Sequence, residues 1–123
     1  MRLELKQVRI ADVVIVTVAG RVDHANADQF RAQLWPHLAG CAAGGDRLVL
    51  DLAGLEYVSS AGLRVLMLAS RDVKGRDGTL VVCGLQPIVR EIFEISRFNI
   101  VFHVLPDRTA ALAELRVAAA AGA

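Results

Sequence analysis

Apolar and polar positions alternate at the start of the chain. Leu3, Leu5, Val8 and Ile10 are apolar with charged or polar residues between them, as in a strand with one solvated face. Ala11-Asp12 reads as a tight turn. The β-branched run Val13-Val14-Ile15-Val16-Thr17-Val18 reads as a second, more buried strand that ends at Gly20. The two strands form a hairpin. The period then changes. Ala27, Phe30, Leu34 and Leu38 recur at helical spacing, which predicts a helix over residues 25–40 with Asp23 or Asn26 as its cap. Pro36 has no N–H and should kink or break that helix near Trp35.

After a loop over residues 40–46, the pattern repeats as strand and helix. Residues 48–52 predict a third strand, 53–58 a connection, and 60–74 a second helix. A turn over 75–78 leads to a fourth strand at 80–83, closed by Gly84. Residues 87–96 predict a third helix, with Pro87 tolerated in its first turn and Ile88, Ile92 and Ile95 as its inward stripe. A fifth strand is expected at 100–102. A last helix is expected from Asp107, as N-cap, to about residue 118, with Leu112 and Leu115 inward and a frayed tail from about 119. The fold class is α/β: a mixed sheet of four to five strands, a leading hairpin followed by β-α units, and about four helices. Strand–helix–strand connections imply parallel pairing with right-handed crossovers. With no repeat, linker or low-complexity segment, residues 1–123 read as a single domain.

Composition narrows the function. Hydrophobic residues make up 54% of the 123 and charged residues 22%, which suits a folded core rather than a disordered chain. The 14 Lys+Arg and 13 Asp+Glu leave a formal net charge of +1, without the basic footprint of a nucleic-acid binder. Aromatic residues, at 5%, are too few for a base-stacking surface. Cys41 and Cys83 are too few for a disulfide framework or a four-ligand zinc site, and His24, His37 and His103 have no metal spacing with them. No cofactor is expected. The opening Met-Arg-Leu-Glu-Leu-Lys is unlike a signal peptide, and no apolar run approaches the ~20 residues of a membrane helix. A small soluble cytoplasmic domain is the expectation.

The segment from Leu50 to Leu66 carries the candidate chemistry. It runs from a strand through a loop to Ser59-Ser60 at a helix start. A serine there can accept from the free backbone N–H groups of the first turn, and the same groups with the helix dipole tolerate a phosphate. Either serine can therefore be a plain cap. At about 100° per residue, Ser60, Arg64, Met67 and Arg71 fall on one side of the helix, while Leu63, Leu66 and Val73 face the core. A methionine in a polar stripe suits an adaptable binding surface.

Three pieces in order resemble the STAS domain, in particular the free-standing bacterial anti-sigma factor antagonists. They are Gly20-Arg-Val-Asp23-His, then Leu50-Asp-Leu-x-x-Leu55-x-Tyr57-Val-Ser-Ser-Ala-Gly62-Leu63-Arg-Val-Leu, then Val82-Cys-Gly-Leu-x-Pro87-x-Val89. The resemblance covers essentially the whole chain. It implies a fold of this β-β-α-β-α-β-α-β-α order. It also implies a serine phosphorylated by an anti-sigma factor that is itself a serine kinase. The family pattern resembles Asp-Ser-Ser-Gly-Leu, with the first serine modified. Laid on this sequence, that serine is Ser60, the Asp is replaced by Ser59, and the second serine by Ala61. Ser60 is the implied phosphosite and Ser59 the second candidate. The implied partner-binding face takes in Asp23, His24, Tyr57, Val58, Ser59, Ser60, Ala61, Arg64, Met67 and Arg71.

The implied mechanism is partner switching. The unphosphorylated domain docks on the kinase and frees the sigma factor. Phosphorylation reverses this, and a serine phosphatase resets it. A constitutive STAS module is the alternative, such as a small subunit on a transporter ATPase or a scaffold in a signalling assembly. An enzyme fits less well. Asp51 at a strand end resembles a receiver's phospho-acceptor, but no lysine follows Lys74. Val58-Ser-Ser60-Ala-Gly62 lacks the first glycine of a nucleophile elbow.

Overall fold

A computed structural model describes residues 2–116. Five strands form one sheet in the order β1-β2-β3-β4-β5. They are β1 (Glu4–Ile10), β2 (Val13–Val22), β3 (Arg47–Val58), β4 (Thr79–Cys83) and β5 (His103–Leu105). β1 is antiparallel to β2, and every other pair is parallel, so the predicted mixed sheet with a leading hairpin is what forms. The helices are α1 (Ala27–Leu34), α2 (Ser60–Gly75), α3 (Pro87–Ile95), α4 (Phe98–Val101) and α5 (Arg108–Glu114).

Two-sided burial explains the apolar run of β2. Val14, Val16 and Val18 join the larger core with Phe30, Leu34, Leu50 and Leu66, beneath the first three helices. Val13 and Ile15 point the other way, with Val49, Val81 and Cys83, onto Ala111 and Leu115 of the α5 segment. A strand buried on both faces has no use for alternation. The expected inward residues of the first two helices are buried, and α1 passes at Pro36 into a single 3₁₀ turn over Trp35–Leu38. Asp107 caps α5, its carboxylate accepting from the Ala110 N–H at 2.8 Å. Leu115 is buried and Leu112 partly so. The expected extension of that helix to about residue 118, and the frayed tail beyond it, lie outside the described residues.

Three expectations are corrected. β2 does not end at Gly20, and residues 53–58 are strand rather than connection, because the two strands stay paired to Val22↔Val58. Register shifts between Thr17 and Ala19 and between Gly20 and Arg21 absorb the small residues that look like a stop. Gly20 has φ +107 there, and a Cβ would lie 2.4 Å from the Arg2 carbonyl oxygen. Secondly, α3 does not bury Ile88, Ile92 and Ile95. Its buried residues are Val89 and Phe93, while Ile88 is 50% and Ile95 78% exposed and Ile92 is only partly covered. Thirdly, residues 100–102 are not a strand. Arg97, at φ 61, starts the short α4, and β5 follows it at His103. One cause accounts for the second and third differences. Phe93, Phe98 and Phe102 cluster with ring centroids 5.7–6.0 Å apart, which turns α3 onto its Phe93 face and holds residues 98–102 in a tight turn.

Candidate functional site

The paired ends of β2 and β3 place the two serines. The Ser59 N–H donates to the Val22 carbonyl at 2.8 Å, which extends the strand pairing by one bond and ends it. Ser59 is extended, at φ −84 and ψ 174, and its Oγ accepts from the Gly62 N–H at 3.3 Å. Ser59 is therefore the N-cap of α2 and is half-buried. Ser60 is the first helical residue and is exposed. Gly62 lets this corner close. A Cβ there would lie 2.6 Å from Val22 Cγ1 and 2.7 Å from Val58 Cγ2.

The stripe drawn from helical spacing is real. Ser60, Arg64, Met67 and Arg71 line one shallow depression of about 340 Å³, together with Leu63 and Leu68 of the same helix. Its far wall is Ser96 and Phe98, from the corner between α3 and α4. Sequence periodicity gives no signal for these two, because that wall is built by the phenylalanine cluster. Arg64 and Arg71 are exposed, and neither forms an ion pair among the described residues.

Asp23 and Asn26 close a loop rather than capping α1. The Asp23 carboxylate accepts from the N–H groups of Ala25 and Asn26 at 2.9 and 3.2 Å. The Asn26 side-chain oxygen accepts from the Asp23 N–H at 2.8 Å, and its amide donates to the Arg21 carbonyl at 2.9 Å. Asn26 occupies the cap position, but its side chain makes no cap bond to α1. His24 is exposed on this loop. Tyr57 is half-buried at the neighbouring strand end, with the Arg21 guanidinium 4.7 Å from its ring centroid. Arg21 was not among the expected site residues, since only the β2–β3 register reveals it. Ala61 is partly buried against the core. Val58 is corrected. At 1% exposure it has no surface to offer a partner, and it acts by packing under Gly62.

The remaining candidates are structural. Asp51, 8% exposed, accepts from the Ala53 N–H at 3.1 Å and pairs with Arg108 at 3.0 Å, tying β3 to α5. Cys41 and Cys83 are buried and free, and burial pushes the Cys83 thiol up to about 12, far from a reactive thiolate. The described residues contain no group of three or more His, Cys, Asp or Glu able to hold a metal ion. No helix among them is long and apolar enough to cross a membrane.

Sheet and site together define a small α/β domain, with an exposed serine at a helix start beside a basic-rimmed depression. The chain belongs to the STAS family: residues 6–107 match the family described as "Mlab, STAS domain". It is 42% identical over 116 residues to BtrV of Bordetella bronchiseptica, a provisionally named anti-sigma factor antagonist, across 94% of this chain and 97% of that one. It is 26% identical to the anti-sigma F factor antagonist of Paenibacillus polymyxa, across 95% and 98% of the two chains. An anti-sigma factor antagonist from Mycobacterium paratuberculosis shares the fold with a TM-score of 0.82 at 22% identity, over 94% of this chain and 95% of that one. Bacillus SpoIIAA in its phosphorylated form shares it at 0.63 and 17% identity, over 93% and 99%.

Proposed function

We infer that this chain is an anti-sigma factor antagonist working by partner switching. Unphosphorylated, it docks on an anti-sigma factor that is a serine kinase, and the sigma factor is released. The kinase then transfers the γ-phosphoryl of ATP to Ser60 Oγ, with ADP leaving and the hydroxyl proton lost. A serine phosphatase restores the free hydroxyl. The chemistry belongs to the two partners and asks for no catalytic group on this chain. The cytoplasm, where sigma factors and ATP meet, is the compartment this requires, and one domain is sufficient for it.

The observation that carries this reading is the division between two adjacent hydroxyls. Ser59 is committed to the cap, and Ser60 stands exposed at the mouth of the depression. Phosphate adds about −1.5 to −2 charge and three acceptor oxygens. The dipole of α2 favours an anion at its first turn, so the helix survives the modification. Arg64, one turn along the same face, is placed to pair with it. Release comes from charge and bulk introduced into a fitted surface.

The test is mass spectrometry after incubation with ATP and the anti-sigma serine kinase of the source genome. One phosphate is expected on the wild type and none on Ser60→Ala. A phosphate that persists in Ser60→Ala and vanishes in Ser59→Ala moves the site. No transfer, together with stable co-purification with a transporter ATPase that Ser60→Asp leaves intact, establishes the constitutive module instead.

A further inference from the structure

The depression beside Ser60 has an unusual charge distribution. Its rim carries two guanidiniums, Arg64 and Arg71, spaced two turns apart on α2. Among the described residues, no acidic side chain lines it. Two nearby carboxylates are engaged elsewhere: Asp72 of α2 pairs with Arg76 at 3.0 Å, and Asp23 holds its own loop. Between the arginines lie Met67 and, across from it, Phe98, both only partly covered. An apolar floor between two unneutralised arginines is complementary to an acidic surface with an apolar tip.

We propose that this depression receives an acidic, amphipathic segment of the anti-sigma kinase, whose carboxylates pair with Arg64 and Arg71 while an apolar side chain between them seats on Met67 and Phe98. The proposal deepens the partner-switching reading and rests on it. A helix fits the spacing, because carboxylates two turns apart on one face match arginines seven residues apart on α2. Guanidinium–carboxylate pairing supplies orientation as well as attraction.

The same arrangement explains what phosphate does there. Ser60 lies four residues before Arg64, one turn away on the same face. A phosphate on Ser60 takes Arg64 from the incoming carboxylate and sets a like charge against it. The kinase segment loses its anchor to the product of the kinase's own reaction.

Binding of the whole kinase to the whole chain, measured by titration calorimetry, tests this. Arg64→Glu/Arg71→Glu should weaken binding by roughly tenfold or more. Binding of the wild type should weaken steeply between about 50 mM and about 500 mM NaCl. Reversing acidic residues of the kinase segment to arginine should rescue the doubly reversed variant. The variant's circular dichroism and melting curve establish that it is folded, and the salt dependence needs no variant. Binding of the folded variant within about twofold of wild type, with no salt dependence, overturns the proposal. If Ser60→Asp still releases the kinase in that case, partner switching stands without it. If the kinase neither binds nor phosphorylates the wild type, both fall together.

Discussion

A helix leaves the N–H groups of its first turn without internal acceptors, and one well-placed side chain satisfies only some of them. In α2 that side chain is Ser59, through its bond from the Gly62 N–H. The two serines should therefore separate in stability, as the proposed switch has them separate in phosphorylation. Ser59→Ala should cost about 1 kcal/mol in urea unfolding while leaving Ser60 a substrate. Ser60→Ala should stay within about 0.5 kcal/mol of wild type. Equal losses from the two would mean that they share the cap. The Ser-Ser pair at a helix start was legible in the sequence, but which hydroxyl is committed was not. That choice is made by the Ser59 N–H bond to Val22, a residue 37 positions earlier brought alongside by strand pairing.

At the scale of elements, the way helices meet the sheet decides two outcomes. Gly62 is buried where α2 crosses the ends of β2 and β3. Alanine is the better helix former by about 1 kcal/mol, yet overpacking against two stiff valines costs roughly 1–3 kcal/mol. Gly62→Ala should therefore lower the urea midpoint, and a gain in stability would show that the corner relaxes freely. The face of α3 is the second case. Phe93→Ala should cost about 3–5 kcal/mol, because Phe93 is fully buried beside Phe98 and Phe102. Ile95→Glu should change stability by no more than about 0.5 kcal/mol, because that side chain is 78% exposed. The isoleucine stripe predicts the reverse order. Spacing alone pointed to the Ile88-Ile92-Ile95 face of this helix. The tertiary aromatic cluster buries Val89 and Phe93 instead.

Across the whole molecule, the two ends of the sheet differ in kind. The serine site stands at the carboxyl ends of the parallel strands, the usual place for function in open α/β sheets. The opposite end is held by ion pairs. Arg9 grips Asp46 at 2.8 Å, and Arg47 grips Asp12 at 2.8 Å and donates to the Leu115 carbonyl at 2.7 Å. Hydrogen bonds from the guanidiniums of Arg9 and Arg47 hold the Asp46 and Asp12 carboxyls below their ordinary value of 3.8. Nearby, half-buried His37 is bonded to Gln7, and desolvation lowers its pKa from 6.5. All three shifts are downward, so below its ordinary pKa each group binds protons more readily in the unfolded chain than in the folded one. Stability should fall with pH in two stages. His37 acts below about pH 6.5, and the aspartates act below about 3.8, weakly because both are solvent-screened. Urea midpoints measured from about pH 7.5 to about pH 3 check this, with His37→Gln expected to flatten the upper stage. An unchanged upper slope in that variant would remove His37 as its source.

By itself, the sequence determined the order of elements apart from the short α4, the mixed sheet and the four-residue stripe on α2. Each of these depends on local period: two for strands, 3.6 for helices, and one turn signal between them. It also determined that the standing charge is +1, without the basic footprint of a nucleic-acid binder. Only the tertiary structure decided how far β2 and β3 run, which face α3 buries, and what stands across from Met67. Those depend on contacts between residues distant in the chain: the β2–β3 register, the Phe93–Phe98–Phe102 cluster, and Val22 against Gly62. Local pattern sets what a segment can become, and burial against remote partners selects which of its faces and lengths is used.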